Sequence, residues 1–251
     1  MKLIVFILTL FFSVIAANAQ LDSIDYFRKA IDSNYYSFDK EKLESIQNDL
    51  LRFREKHEDS IDICKYYSSV LHINLGKIYY NIDSDIAYNH FDFALSALRE
   101  IETHEKDAEY MSLISCAYGK KSSLSSIRAI YFGISAKNSI VDAYELDTNS
   151  SQVLLIAATH LMHTPETFGG DKKQARKLLG QCLKLNQDRD SSEARINWAS
   201  NAEIYAYVAQ LAILEENKEE AKKYMNKALA LEPDYGFVLV DLKAQLEKIE
   251  D

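Results

Sequence analysis

The sequence predicts an all-α protein assembled from antiparallel helix pairs. Only 7 Gly and 2 Pro interrupt 251 residues. Apolar residues recur at spacings of three and four along most of the chain, and no alternating apolar–polar run is bounded by turn residues. One arrangement of small and large apolar residues also returns several times, which is the mark of a repeat architecture.

The first element is a leader. Residues 1–19 combine a single Lys2, an apolar run over 3–16 and the small-x-small triplet Ala17-Asn18-Ala19. This is the pattern of a cleaved secretory signal. The run is shorter than the ~20 residues that span a bilayer, and no cysteine follows at Gln20. The expectation is an exported, periplasmic or secreted repeat domain over 20–251, with no membrane span after the leader is removed.

The helix pairs follow. Residues 22–58 read as a diverged first pair with its turn at Phe38-Asp39-Lys40. In the second pair, Leu75, Gly76 and Tyr79 lie on the first helix and Ala87, Phe91 and Ala94 on the second. The third pair has a first helix within 109–126 and a second marked by Ala136, Ile140 and Ala143. The fourth has its first helix near 152–162 with Ala158, and Ala175, Leu179 and Cys182 on its second.

The clearest unit is the fifth, residues 202–233, "AEIYAYVAQLAILEENKEEAKKYMNKALALEP". Tyr205, Val208 and Ala209 mark its first helix, Ala221, Met225 and Ala228 its second, and Pro233 closes it. Residues four and then three apart share a helix face. Small side chains there let two helices approach, and larger neighbours fill the gaps. Asn217 and Glu220 form a capping box at the second helix. Residues 236–249 read as a closing helix with a charged outer face, as the end of a stack requires.

The fifth unit resembles the tetratricopeptide repeat. The resemblance implies a solenoid of about five antiparallel helix pairs with a C-terminal capping helix. Residues 128–186, which contain "THLMHTPETFGGDKKQARKLL", are similar to exported bacterial repeat proteins. These include the T component of tripartite ATP-independent periplasmic transporters. That likeness implies an apolar channel and a partnership with a transporter solute receptor.

Between its two helices the fourth pair is longer than the fifth: Ala158 to Ala175 covers 17 positions, Ala209 to Ala221 covers 12. The extra residues hold Pro165, Phe168, Gly169, Gly170 and Asp171. Pro165 is expected to stop the first helix. Gly169 and Gly170 are expected to supply left-handed angles. Asp171 is expected to cap the second helix together with Gln174, and Phe168 to fold back onto the pair. Adjacent glycines without a preceding strand are not a phosphate loop. His160 and His163 share a helix face but lack the HExxH arrangement.

No residue pattern marks a nucleophile elbow or a calcium loop, so neither a catalytic group nor a cofactor or metal is assigned. The net charge of −9, without a basic patch, disfavours nucleic acid. Cys64, Cys116 and Cys182 lie among apolar residues and read as buried thiols, with one disulfide left open.

On the repeat template the first helices present a concave face. Its candidates are Ile73, Lys77 and Tyr80, then Leu155, Thr159, Met162 and His163, then Ala206, Gln210 and Ile213. This mixed face suits a protein or peptide partner. The expected function is therefore a non-enzymatic scaffold. The alternative is a transporter-associated accessory protein holding a small apolar ligand.

Overall fold

The computed structural model describes residues 24–187 and 199–249. The leader expected over residues 1–19 lies outside them. Among the described residues there are eleven α-helices and no strand. The first five are α1 (Ile24–Tyr36), α2 (Lys40–Lys56), α3 (Ile61–Tyr79), α4 (Ser84–Arg99) and α5 (Ala108–Leu124). They are followed by α6 (Ala129–Leu146), α7 (Ser151–His163), α8 (Lys172–Gln187), α9 (Asn201–Leu214) and α10 (Lys218–Leu231). A π-helical segment, Phe237–Leu242, leads into the short α11 (Lys243–Glu247).

The helices start where short polar side chains satisfy the first free amides. Asp39, Asp83, Asp107, Ser150, Ser200 and Asn217 each accept from a backbone N–H of the following turn. At α10 the box closes in both directions. Glu220 N donates to Asn217 Oδ1 at 3.1 Å, and Asn217 Nδ2 donates to Glu220 Oε2 at 3.2 Å.

Neighbouring helices pack as pairs: α1 on α2, α3 on α4, α5 on α6, α7 on α8 and α9 on α10. Each pair's first helix also packs against the first helix of the next, so α1, α3, α5, α7 and α9 form a continuous row. The alanines expected at the contacts are where that packing needs them. Ala87, Ala94, Ala136, Ala143, Ala158, Ala175, Ala209, Ala221 and Ala228 are all fully buried. Cys64 and Cys182 are buried, Cys116 is half-buried, and all three are free thiols.

The α7–α8 turn follows the expected plan in part. Thr164 caps α7, Pro165 leaves in an extended conformation, and Gln174 N donates to Asp171 Oδ1 at 2.8 Å. Two expectations are corrected. Phe168 is 66 % exposed and does not fold back onto the pair. Only Gly169 is left-handed, at φ 97°. Gly170 is required for space instead, because a Cβ there would lie 1.7 Å from the Thr164 carbonyl oxygen.

The chain ends also depart from expectation. The last segment is π-helical rather than one regular helix, and Leu239 and Val240 are exposed on it. It does more than cap the last pair, because it reaches the first. Phe38, left-handed at φ 53°, lays its ring where a Cβ on Gly236 would come within 2.4 Å. Tyr35 meets Tyr235 edge-on at 6.1 Å, and the Tyr36 hydroxyl is 2.5 Å from Ser200 Oγ. Asn81 Nδ2 donates to Asp241 Oδ1 at 2.8 Å. The row of first helices therefore curls until its ends touch.

Candidate functional site

That closure turns the expected concave face into an interior. Residues from α3, α5, α7 and α9 surround a central cleft of about 30 Å³. Of the residues assigned to the groove from sequence, Ile73, Lys77, Leu155 and Thr159 line it. Met162, Ala206, Gln210 and Ile213 are buried but do not line it. Tyr80 stands apart, its ring 5.1 Å from the Lys120 ammonium. His163 keeps one side open to solvent and turns Nε2 to Gln210 Oε1 at 3.2 Å. Burial, with Lys120 nearby, holds its imidazole below the ordinary histidine range.

The cleft contains a buried ion pair. Lys77 Nζ on α3 lies 3.3 Å from Glu203 Oε1 on α9, with the two side chains 14 % and 5 % exposed. The lysine also sits 5.3 Å from the centre of the Tyr35 ring, a cation–π distance. Burial opposes its charge, but Tyr207, Tyr35 and Glu203 outweigh that and hold its pKa well above the ordinary lysine value. The tyrosines are neutral at pH 7, so at that pH Glu203 supplies the balancing charge. Burial raises the Glu203 carboxyl against the pull of Lys77. Gln152 adds a polar wall, donating from Nε2 to Ser112 Oγ at 2.8 Å.

Asp32 on α1 belongs to the same electrostatic group. Burial raises its carboxyl to about 7, with Glu203 and Glu232 adding to the rise and Arg28 opposing it. A carboxyl raised on folding stabilises the folded state while neutral, and that contribution is lost as pH climbs through 7. Asp32→Asn is therefore expected to match the parent protein near pH 4. At pH 8 it should be more stable, by about 1–2 kcal/mol. Thermal melts at both pH values check this.

A second cleft, about 230 Å³, lies between α2, α3 and α4 and is lined by Gln47, Arg54, Lys65, His72 and Phe93 among others. Here His72 Nδ1 and His90 Nδ1 are 3.0 Å apart. One ring donates and the other accepts, so both are satisfied while neutral. Burial lowers His72 to about 4, with His90 adding to the effect.

The outer face of α6 is of a different kind. Ile127 just ahead of it, and Ile130, Tyr131, Ile134 and Val141 along it, are between 45 % and 94 % exposed. The inner face is already occupied: Phe132, Ala136, Ile140 and Ala143 are buried. Phe132 is fixed further by Lys121, whose ammonium stands 4.6 Å from its ring and 4.2 Å from that of Tyr88 while pairing with Asp92. So α6 is anchored on one side and carries large apolar side chains on the other, with Lys137 and Glu145 among them. Large apolar side chains grouped on a surface mark an interaction site.

Sequence reasoning missed two features. Glu203 received no assignment from sequence; its position three before Ala206 and seven before Gln210 was the available sign that it joins the groove face. The α6 stripe was also present as spacing, since Ile127, Ile130, Ile134 and Val141 recur at three, four and seven beside the separate set at 132, 136, 140 and 143. Set against known protein families and curated proteins, the chain matches none.

Proposed function

We propose that this chain is an exported, non-enzymatic helical-repeat scaffold of the tetratricopeptide kind, and that it holds a protein partner on the outer face of α6. The carrying observation is the exposed Ile130–Ile134–Val141 stripe on a helix whose other face is already packed. Its i, i+4, i+11 spacing presents one apolar ridge, the form that suits a partner helix or extended segment. The paired helices and buried alanines support the repeat reading. Burial of Ile73, Leu155, Met162 and Ile213 moves the expected docking surface from the inner face to the outer one. Across the inner cleft, Lys77 and Glu203 neutralise each other, which favours a structural role for them over acid–base chemistry.

A photo-crosslinking residue at Ile134, introduced in the exporting host, tests the reading. A discrete protein adduct is expected there and not at Leu231, an exposed apolar residue on α10. Ile130→Asp should abolish the adduct. Equal labelling at both positions, or no adduct at Ile134, would overturn the reading.

One observation favours a second reading, a small ligand held inside, as for the transporter-associated proteins that the sequence resembles. Four successive first helices each contribute to the central cleft. At about 30 Å³ it admits roughly one water, so a ligand requires the walls to part. Native mass spectrometry of the exported protein would reveal a retained small molecule.

A further inference from the structure

The cleft between α2, α3 and α4 has a chemistry that neither the helix packing nor the α6 surface uses. We infer that it binds a small aromatic carboxylate, its acid group on Arg54 at one end and its ring on Phe93 at the other. This stands apart from the docking reading above.

Three helix faces converge on the cleft. Gln47, Leu50, Leu51 and Arg54 come from α2 at spacings of three, four and seven, which share one face. Lys65, Ser68 and His72 repeat that spacing on α3, and Phe93, Ala97 and Glu100 repeat it along α4 to its C-cap. The step from Gln47 to Arg54 rises about 10 Å along a helix. The cleft encloses about 230 Å³, enough for one small molecule.

Its polar groups are sorted along that length. One end is charged. Lys65 Nζ donates to the Glu100 carbonyl oxygen at 3.0 Å and stands 3.7 Å from the Glu100 carboxylate and 3.9 Å from that of Asp62. Burial raises the neighbouring Cys64 thiol and Arg54 opposes the rise, which sets the guanidinium at this same end. Among the described residues no acceptor pairs with Arg54, and its side chain is exposed. Two cations and one carboxylate therefore line this end, in a chain whose net charge is −9.

The other end is aromatic. The Phe93 ring stacks on His72, with centroids 5.3 Å apart at 28°, and stays 60 % exposed. His72 is neutral at pH 7, because burial lowers it and His90 adds to the effect. Between the two ends Gln47 and Ser68 satisfy each other. Gln47 Nε2 donates to Ser68 Oγ at 3.1 Å, and Ser68 Oγ to Gln47 Oε1 at 3.2 Å. That leaves Leu50, Leu51 and Ala97 as the apolar middle of the cleft.

A ligand with the complementary order fits this layout. A carboxylate takes two parallel N–H bonds from a guanidinium, while an aromatic body covers the exposed ring of Phe93. An amine would meet Arg54 and Lys65 unfavourably. Inorganic phosphate would meet both but leave Phe93 and the apolar middle uncovered.

Ligand-detected NMR titration of the exported protein with hydrocinnamate tests the inference, with phenylpropylamine and inorganic phosphate as comparisons. Saturable binding of the acid is expected, and the amine should bind about tenfold more weakly. Arg54→Met should weaken the acid about tenfold, the usual effect of losing a charge-assisted hydrogen bond. Phe93→Ala should weaken it about threefold. Lys56→Met, on an exposed residue of α2 outside the cleft, should change nothing. Arg54 and Phe93 are both exposed, so far-ultraviolet dichroism should be the same in all variants.

No saturable binding of the acid, equal binding of the amine, or binding indifferent to Arg54→Met overturns the inference. Phosphate that displaces the acid, together with no effect of Phe93→Ala, would reveal a simple anion site and overturns it as well. None of these outcomes bears on the Ile134 crosslink, so the docking reading stands or falls separately.

Discussion

Lys77→Met is expected to destabilise the protein by about 3–5 kcal/mol at neutral pH. Methionine keeps much of the volume of the lysine stem, so the loss is chiefly electrostatic. It leaves the Glu203 carboxylate, 5 % exposed, without its counter-charge. A lone buried charge costs far more than the pair contributes, because desolvation is then uncompensated. Glu203→Gln alone should cost less than Lys77→Met, since Lys77 retains the face of Tyr35. The double variant should recover part of the loss, and the coupling in a double-mutant cycle should exceed 1 kcal/mol, by the magnitude usual for residues in direct contact.

The pH dependence has a definite sign. Burial already raises the Glu203 carboxyl, and removing Lys77 takes away the cause that lowers it. The carboxyl in Lys77→Met then binds a proton more readily when folded than when unfolded. The cost of the substitution should therefore shrink as pH falls and the folded carboxyl is neutralised. Urea unfolding of the four cycle members at pH 7 and pH 5 checks both statements. A cost at pH 5 equal to that at pH 7 would show that Lys77 acts through packing alone.

Gly170→Ala carries the second large effect, expected at about 3 kcal/mol or more, in the range of backbone clashes that demand local rearrangement. The added methyl would lie 1.7 Å from the Thr164 carbonyl oxygen, 2.6 Å from its carbon and 3.1 Å from the Leu161 carbonyl oxygen. These are backbone atoms, so no side-chain rotation relieves the contact. The Leu161 carbonyl and the Gly170 amide also belong to the turn's own hydrogen bonding. Asp171 N donates to Leu161 O at 3.1 Å, and Gly170 N donates to Pro165 O at 3.1 Å. Moving Thr164 aside would loosen the end of α7 and the start of α8 together.

Gly169→Ala differs in kind, since a Cβ there would make only an ordinary contact, 3.7 Å from Lys137 Nζ, and the left-handed φ alone opposes it. A cost of about 1 kcal/mol is expected there. Thermal melts of the two alanine variants separate a steric requirement at Gly170 from a conformational one at Gly169.

The α7–α8 turn shows how far local reasoning reaches. Pro165 and Asp171 act through their own backbone or the next turn, so their jobs followed from spacing. The role of Gly170 depends on how closely the carbonyl of Thr164 returns after the turn, which spacing does not specify. Phe168 was expected to seek burial, yet the turn points it outward at 66 % exposure. The central site divides in the same way. Ile73, Lys77, Leu155 and Thr159 were placed on one face by helical periodicity and do meet around one cleft. Glu203 could not be paired with Lys77 from sequence, because 126 residues separate them.

By itself, the sequence determined the helices, their pairing with neighbours and the alanines at their contacts. These depend on residues three to about twenty positions apart, within reach of periodicity, capping and turn length. Tertiary structure alone decided whether the inner face is an open groove or a closed interior. The accumulated angle between successive pairs sets how soon the row meets its own beginning, and that angle is the sum of many small packing choices. The same curvature brings Phe38 to Gly236 and Lys77 to Glu203. It buries the face expected to meet a partner and leaves the Ile130, Ile134 and Val141 side of α6 uncovered.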